Sequence, residues 1–185
     1  MKARIWDVKT GVEVRSLPGH EAMITSACFL NDNKGYLSPN LDDTNENLRL
    51  ESPTQIVTAS MDGTVKWWNL SARGKKRSYL TGHDDHVLDI AMSETALDDE
   101  KGNIILSAGG DDRYMKAWSM NSGEEICLDE LSMHLHKDKV VAVAITKNGK
   151  RGISGSHDNF IRFFDLERNE KEKRRMLNFG DDVWW

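Results

Sequence analysis

The stretch Gly155-Ser156-His157-Asp158-Asn159 places a hydroxyl, an imidazole and a carboxylate on consecutive residues. These are the groups of a nucleophile, its base and the base's orienter. Acyl-transfer chemistry needs them to converge through space in a chain of hydrogen bonds, which three consecutive side chains do not normally provide. Asp158 therefore reads as a structural carboxylate in a tight turn. His83 and His86 with Asp84 and Asp85, and His134 with His136, are metal-ligand residue types, but no second cluster of matching spacing completes a coordination shell. The sequence has no P-loop, dinucleotide fingerprint or nucleophile elbow. The expectation is no catalytic residue, no metal, no cofactor and no small-molecule substrate.

The same residue types recur at longer spacing. Asp62, Asp112 and Asp158 each stand six residues before an aromatic residue, Trp68, Trp118 and Phe164. Upstream of each lies a Gly-His or its remnant, ending at His20, His83 and His136, and four places after each histidine comes an aliphatic residue, Ile24, Val87 or Val140. Each aromatic closes an apolar pair: Ile5-Trp6, Trp67-Trp68, Ala117-Trp118 and Phe163-Phe164. Self-similarity of this kind marks a repeat architecture. Each copy reads as four short strands in an antiparallel meander: a after the histidine, b before the aspartate, c ending at the aromatic pair, and d leading to the next histidine. Length varies at the a-to-b junction, which is an Asn148-Gly149 turn in one copy, a polar run at 93–103 in another and an acidic run at 31–53 in a third.

The pairs also say how such sheets stack. Neighbouring side chains on a strand point to opposite faces, and a tryptophan carries roughly 150 to 250 Å² of buriable surface. Trp67 and Trp68 therefore need cover on both faces of one sheet, which sheets standing face to face around an axis supply.

At this point the repeat resembles the WD-repeat family, the β-propellers typified by the β subunit of heterotrimeric G proteins. GH…TASMDGTVKWWN and GH…SAGGDDRYMKAWS match its repeat, and KARIWD matches the end of one. The fold this implies is all-β, a β-propeller arc of four-stranded antiparallel blades, three in full behind a leading half-blade. The resemblance also implies a hydrogen-bond network pinning each blade: His20, Thr58, Asp62 and Trp68 in the first full copy. In the second, His83, Asp112 and Trp118 align, but the hydroxyl position falls on Ala108, with Ser107 facing the other side. In the third, His136, Ser154 and Asp158 align and Phe164 replaces the tryptophan. Both later networks are expected to lack a member, at about 1 kcal/mol per missing bond.

The function implied is a non-catalytic scaffold for protein or peptide partners, which dock on the edge carrying the b-to-c and d-to-a turns. That edge would display Glu21, Met61, Asp84, Asp85, Arg113, Tyr114, Lys137, His157 and Asn159. Alternatives are a ubiquitin-ligase substrate receptor, since Trp6-Asp7-Val8-Lys9 nearly matches a Trp-Asp-x-Arg docking motif, and an enzyme on a propeller frame. Lysine does not reproduce the fork-shaped contact of arginine.

Composition bounds the rest. The 185-residue chain carries a net charge of -5, with 38% hydrophobic and 30% charged residues, which excludes nucleic-acid binding driven by overall charge and leaves no apolar run long enough for a membrane span. Basic clusters at 72–77 and 168–175 read as solvated turns. The first of these should lie near the acidic run at 31–53. Two cysteines, Cys28 and Cys127, far apart in sequence, make a disulfide framework improbable. The start, Met1 to Trp6, has no signal-peptide pattern, so a cytoplasmic or nuclear protein that is not secreted is expected. The domain reading is one incomplete WD-repeat domain: a half-blade at 1–19, blades at 20–82, 83–135 and 136–178, and the approach to another at 179–185. Open blade faces at either end would invite self-association.

Overall fold

The computed structural model describes residues 1–30, 55–70, 77–126 and 136–166. The acidic run at 31–53, most of both basic clusters, Cys127, His134 and the segment 179–185 lie outside the described residues.

The alternating apolar pattern forms twelve strands among the described residues. β1 (Lys2–Trp6) and β2 (Glu13–Pro18) make a two-stranded sheet. β3 (Ile24–Leu30), β4 (Gln55–Ser60), β5 (Thr64–Asn69) and β6 (Arg77–Thr81) make a four-stranded one. β7 (Val87–Met92), β8 (Ile104–Gly109) and β9 (Met115–Ser119) form a third sheet, and β10 (Val140–Ile145), β11 (Arg151–Ser156) and β12 (Ile161–Asp165) a fourth. Every pairing is antiparallel between consecutive strands, so each sheet is a meander. Of the fourth strand expected in the third sheet, the described residues include one bridge, Trp118 to Glu125, and 127–135 lie outside them. Among the described residues no closed propeller forms.

The paired aromatics divide between the two faces of each sheet. Trp68 packs in a cluster with Leu17, Ala3 and Ile5 of the β1–β2 sheet, whereas Trp67 packs into the cluster that holds Val87, Ile90, Ile105 and Trp118 of the next sheet. Trp118 in turn faces back toward β4–β6, while Ala117 faces forward with Phe164 and Val143. The first member of each pair thus meets the following sheet and the second meets the preceding one. β8 lies between covered faces, and all six of its residues are buried. Burying one tryptophan in this way is worth about 4 to 6 kcal/mol of transfer free energy before conformational costs. At the equivalent positions of the first and fourth sheets Trp6 is 51% exposed and Phe163 49%.

Strand a is the innermost strand of each stack. β7 packs against β3 on one side and β10 on the other. All three inner strands carry a register shift at the same place, at Ile24/Ser26, Val87/Asp89 and Val140/Ala142, which turns backbone and side-chain polar groups toward the neighbouring sheet. The Thr25 hydroxyl donates to the Val87 carbonyl at 2.6 Å. Asp89 accepts from the Ser26 hydroxyl at 2.9 Å and from the Val143 N–H at 3.1 Å, so one carboxylate joins three sheets. The a-to-b run at 93–103 is ordered beneath them: Glu94 and Thr95 N–H both donate to the Lys147 carbonyl at 2.9 Å, docking it on the Asn148-Gly149 turn of the next sheet.

Asp89→Ala removes two inter-sheet bonds to a charged acceptor and strands the Val143 N–H. The expected loss is about 2 to 3 kcal/mol in urea unfolding, against less than about 0.5 kcal/mol for the exposed Asp99→Ala.

Candidate partner-binding edge

The edge carrying the b-to-c and d-to-a turns is built on three buried hydrogen-bonded chains. In the first, the Trp68 indole N–H donates to Thr58 Oγ1 at 2.9 Å. Thr58 Oγ1 lies 2.8 Å from His20 Nε2, and His20 Nδ1 lies 2.8 Å from Asp62. The indole can only donate and the carboxylate only accept, so the hydroxyl and the imidazole link a donor at one end of the chain to an acceptor at the other. Asp62 then accepts from the Glu21 N–H at 2.9 Å and the Thr64 N–H at 3.0 Å, tying one d-to-a turn to one b-to-c turn.

The second chain corrects an expectation. Ser107, not Ala108, supplies the hydroxyl: its Oγ accepts from the Trp118 indole at 2.8 Å and meets His83 Nε2 at 2.7 Å, while His83 Nδ1 lies 2.6 Å from Asp112. This chain therefore has all its members. Ser107 lies five residues before its aspartate where Thr58 and Ser154 lie four before theirs, because the turn holds one extra residue. The ladder was the better ruler: Thr58 pairs with Lys66, Ser107 with Lys116 and Ser154 with Arg162, each cation two residues before the aromatic. The Gly109-Gly110 pair was the available signal. A Cβ on Gly109 would fall 1.8 Å from Asp112 Oδ1, and one on Gly110 2.9 Å from Asp85.

In the third chain His136 bridges Ser154 at 2.7 Å and Asp158 at 3.0 Å, and Asp158 accepts from the Lys137 N–H at 2.8 Å. Phe164 gives no indole donor. Arg162, an unforeseen member, instead reaches Asp158 at 3.0 Å and also contacts His136. Of its counterparts, Lys66 bonds the Gly19 carbonyl and also pairs with Asp62 at 3.9 Å, whereas Lys116 binds Glu125 at 2.9 Å.

Burial lowers His20 and His136 below the ordinary imidazole value of 6.5, outweighing their aspartate partners. Burial alone would raise Asp62, but the Thr64 hydroxyl, the Glu21 N–H and His20 hold it well below the usual carboxylate range. Asp158 is likewise held down against burial, by the Lys137 N–H and His136.

Above these chains the turn tips face outward. Glu21, Asp84, Arg113, Lys137, His157 and Asn159 are exposed, and Met61, Asp85 and Tyr114 are half-buried. The Met61 N–H donates to the Met23 carbonyl at 2.8 Å and the His157 N–H to Lys139 at 3.0 Å. Asp85 is used internally: it accepts from the Asp111 N–H and meets His86 Nδ1, both at 2.6 Å, which lowers its carboxyl to about 2. Consecutive Ser156, His157 and Asp158 do not converge. The Ser156 hydroxyl donates to the Asp138 carbonyl at 3.0 Å, and Asp158 serves His136. His83 and His86 are engaged by different carboxylates.

The family model described as WD domain, G-beta repeat matches residues 11–69 and 126–165. The stretch it passes over contains the turn with the extra residue. Among curated proteins the chain is similar to a U3 small nucleolar RNA-associated protein 15 homolog of Xenopus laevis, 24% identical over 162 residues, covering 88% of this chain and 25% of that protein. It is also similar to the nuclear distribution protein PAC1 of Arthroderma benhamiae, 25% identical over 181 residues, covering 97% of this chain and 34% of that protein. A third relative, ribosome biogenesis protein YTM1 of Eremothecium gossypii, is 29% identical over 126 residues, covering 63% of this chain and 26% of that protein. The chain thus spans about a quarter to a third of the length of these relatives.

Acidification should destabilise the fold in two stages. His20 and His136 have lowered values in the folded state, so the unfolded chain takes up protons first as pH falls below 6.5, and stability is lost from there downward. Asp62 and Asp158 are also lowered, so their contribution is present above the ordinary 3.8 and is lost as pH falls below it. Melting temperatures between about pH 7.5 and 3 check this; a flat profile down to pH 4 would contradict the first stage.

Proposed function

Because the chain belongs to the WD-repeat family, we propose that it is a non-catalytic protein-interaction scaffold whose partners dock on the edge formed by the b-to-c and d-to-a turns. The observation that carries this reading is how the edge is built. In each repeat one buried aspartate holds the b-to-c turn, and Asp62 and Asp158 also hold the d-to-a turn through the Glu21 and Lys137 N–H groups. Rigid turns presenting side chains outward lose little conformational freedom on binding. Miscellaneous side chains at the tips, such as Met61, Arg113 and His157, suit recognition better than a converging set of acids and bases would. The near-miss docking sequence at Trp6 to Lys9 supports the ligase-receptor alternative less well, since it ends in lysine. A cytoplasmic or nuclear setting belongs to the same proposal: Cys28 is a free thiol, pushed up to about 12 by burial and by Asp89. If the reading holds, the combined substitution Met61→Ala, Arg113→Asn and His157→Ala releases partners captured by the purified chain without lowering its melting temperature. A control at Lys147 on the opposite edge retains them, and unchanged capture by the triple variant would reject the edge.

A further inference from the structure

The buried relay around His136 balances its charge differently from the other two. His136 is 7% exposed and stands between Ser154, 2.7 Å from Nε2, and Asp158, 3.0 Å from Nδ1. Arg162 of β12 reaches the same aspartate at 3.0 Å and also contacts His136 Nδ1. The Lys137 and Phe160 N–H groups donate to the two oxygens of Asp158 at 2.8 Å and 3.0 Å. A carboxylate has about four acceptor positions, so Asp158 is filled, and its single negative charge already faces a guanidinium. A proton gained by His136 would set a second cation against Arg162 at one shared carboxylate.

The remaining charged groups of these turns are engaged or face water. Asp138 is exposed and caps the Lys139 N–H, and Lys139 pairs with Asp111 of the preceding repeat at 2.9 Å. Arg113 donates to the Lys137 carbonyl at 3.4 Å, and the Lys137 and His157 side chains are exposed. β10 carries no charged residue, and Arg151 and Asp165 stand at the far ends of β11 and β12. Among the described residues no further carboxylate is therefore left for a charged imidazole. In the other relays the strand-c cation has another acceptor: Glu125 for Lys116 and the Gly19 carbonyl for Lys66. Thr58 and Ser107 are also anchored by the Trp68 and Trp118 indoles, an anchor that Phe164 cannot give Ser154.

We propose that the third relay is an acid-sensitive latch: a proton on His136 parts the d-to-a turn at 136–139 from the b-to-c turn at 156–160, while the corresponding turns of the first full repeat stay joined. Burial lowers His136 below the ordinary 6.5, the bond to Asp158 opposes this, and the Arg162 charge adds to the lowering. Once the turns part, the imidazole meets water and takes up its proton at the ordinary value. Falling pH therefore favours the open form. The latch acts within one repeat, and it stands whether or not partners dock on this edge.

Amide hydrogen exchange of the intact chain, corrected for the intrinsic effect of pH, reads each turn separately. Between pH 7.5 and 5, protection at 136–139 and 156–160 should fall about tenfold, as linkage to one proton allows, and protection at 20–23 and 61–64 about threefold or less. In Arg162→Met the fall at the third relay should shrink to about threefold or less, because a charged imidazole then has Asp158 to itself. In His136→Gln it should vanish. In His157→Gln it should persist, since that exposed ring lies outside the relay. Where a variant leaves the turns open at every pH, nuclear magnetic resonance of the wild-type His136 ring supplies the second reading: its titration should coincide with the loss of protection. Parallel loss at both repeats, an unchanged fall in Arg162→Met, dependence on His157, or a ring that titrates apart from the opening overturns the proposal.

Discussion

A single buried hydroxyl decides the arrangement of each repeat. Thr58, Ser107 and Ser154 sit on strand b with no access to water, so each must satisfy its donor and its acceptor capacity within the protein. Placed opposite a strand-c cation, the hydroxyl bonds a histidine from the d-to-a turn. That histidine orients an aspartate from the b-to-c turn, and the aspartate caps the backbone above it. A d-to-a turn distant in sequence is thereby held at hydrogen-bond distance from strand b and its following turn, and a buried group left without its partner would cost about 1 to 3 kcal/mol. This relay rigidifies the outer edge and leaves the turn tips free to vary.

The parts governed by strict periodicity were legible from the residues. Opposite faces for Trp67 and Trp68 follow from the two-residue period of a strand, and the clusters around them divide in that way. Thr58 and Ser154 lie at a constant distance from their aspartates. Ser107 does not, because a turn can absorb a residue without disturbing the ladder behind it. Counting backward from the aspartate crosses the turn, whereas counting along the strand pair does not. Asp89 was illegible for another reason: one acid in the apolar run Val87–Met92 looks like an ordinary solvent-facing position. Its partners, Ser26 and the Val143 N–H, come from sheets that no local pattern places beside it. Arg162 also escaped notice, since a cation in strand c reads as a surface residue until the histidine from another turn arrives beside it.

Two kinds of polar contact serve different ends of the stack. On the inner strands, Asp89 and Thr25 bond between sheets at the shared register shift and fix how the sheets stand relative to one another. At the outer edge, the relays bond within a repeat and fix its turns. Contacts between turns of different repeats are fewer and more exposed, such as Lys139 with Asp111. They adjust the surface and bear little of the load, as expected for screened surface pairs.

The division of each aromatic pair gives every sheet a front and a back that are not interchangeable. Ile5, Trp67, Ala117 and Phe163 look one way along the stack, and Trp6, Trp68, Trp118 and Phe164 look the other. Such a vectorial unit carries both halves of one joint, so a duplicated copy meets its neighbour through a contact that already exists. Growth by tandem duplication then requires no new surface to be invented. Once copies are joined, the loop at each tip is free to diverge on its own, as Gly63, Arg113 and Asn159, three different solutions to the same left-handed turn, already have.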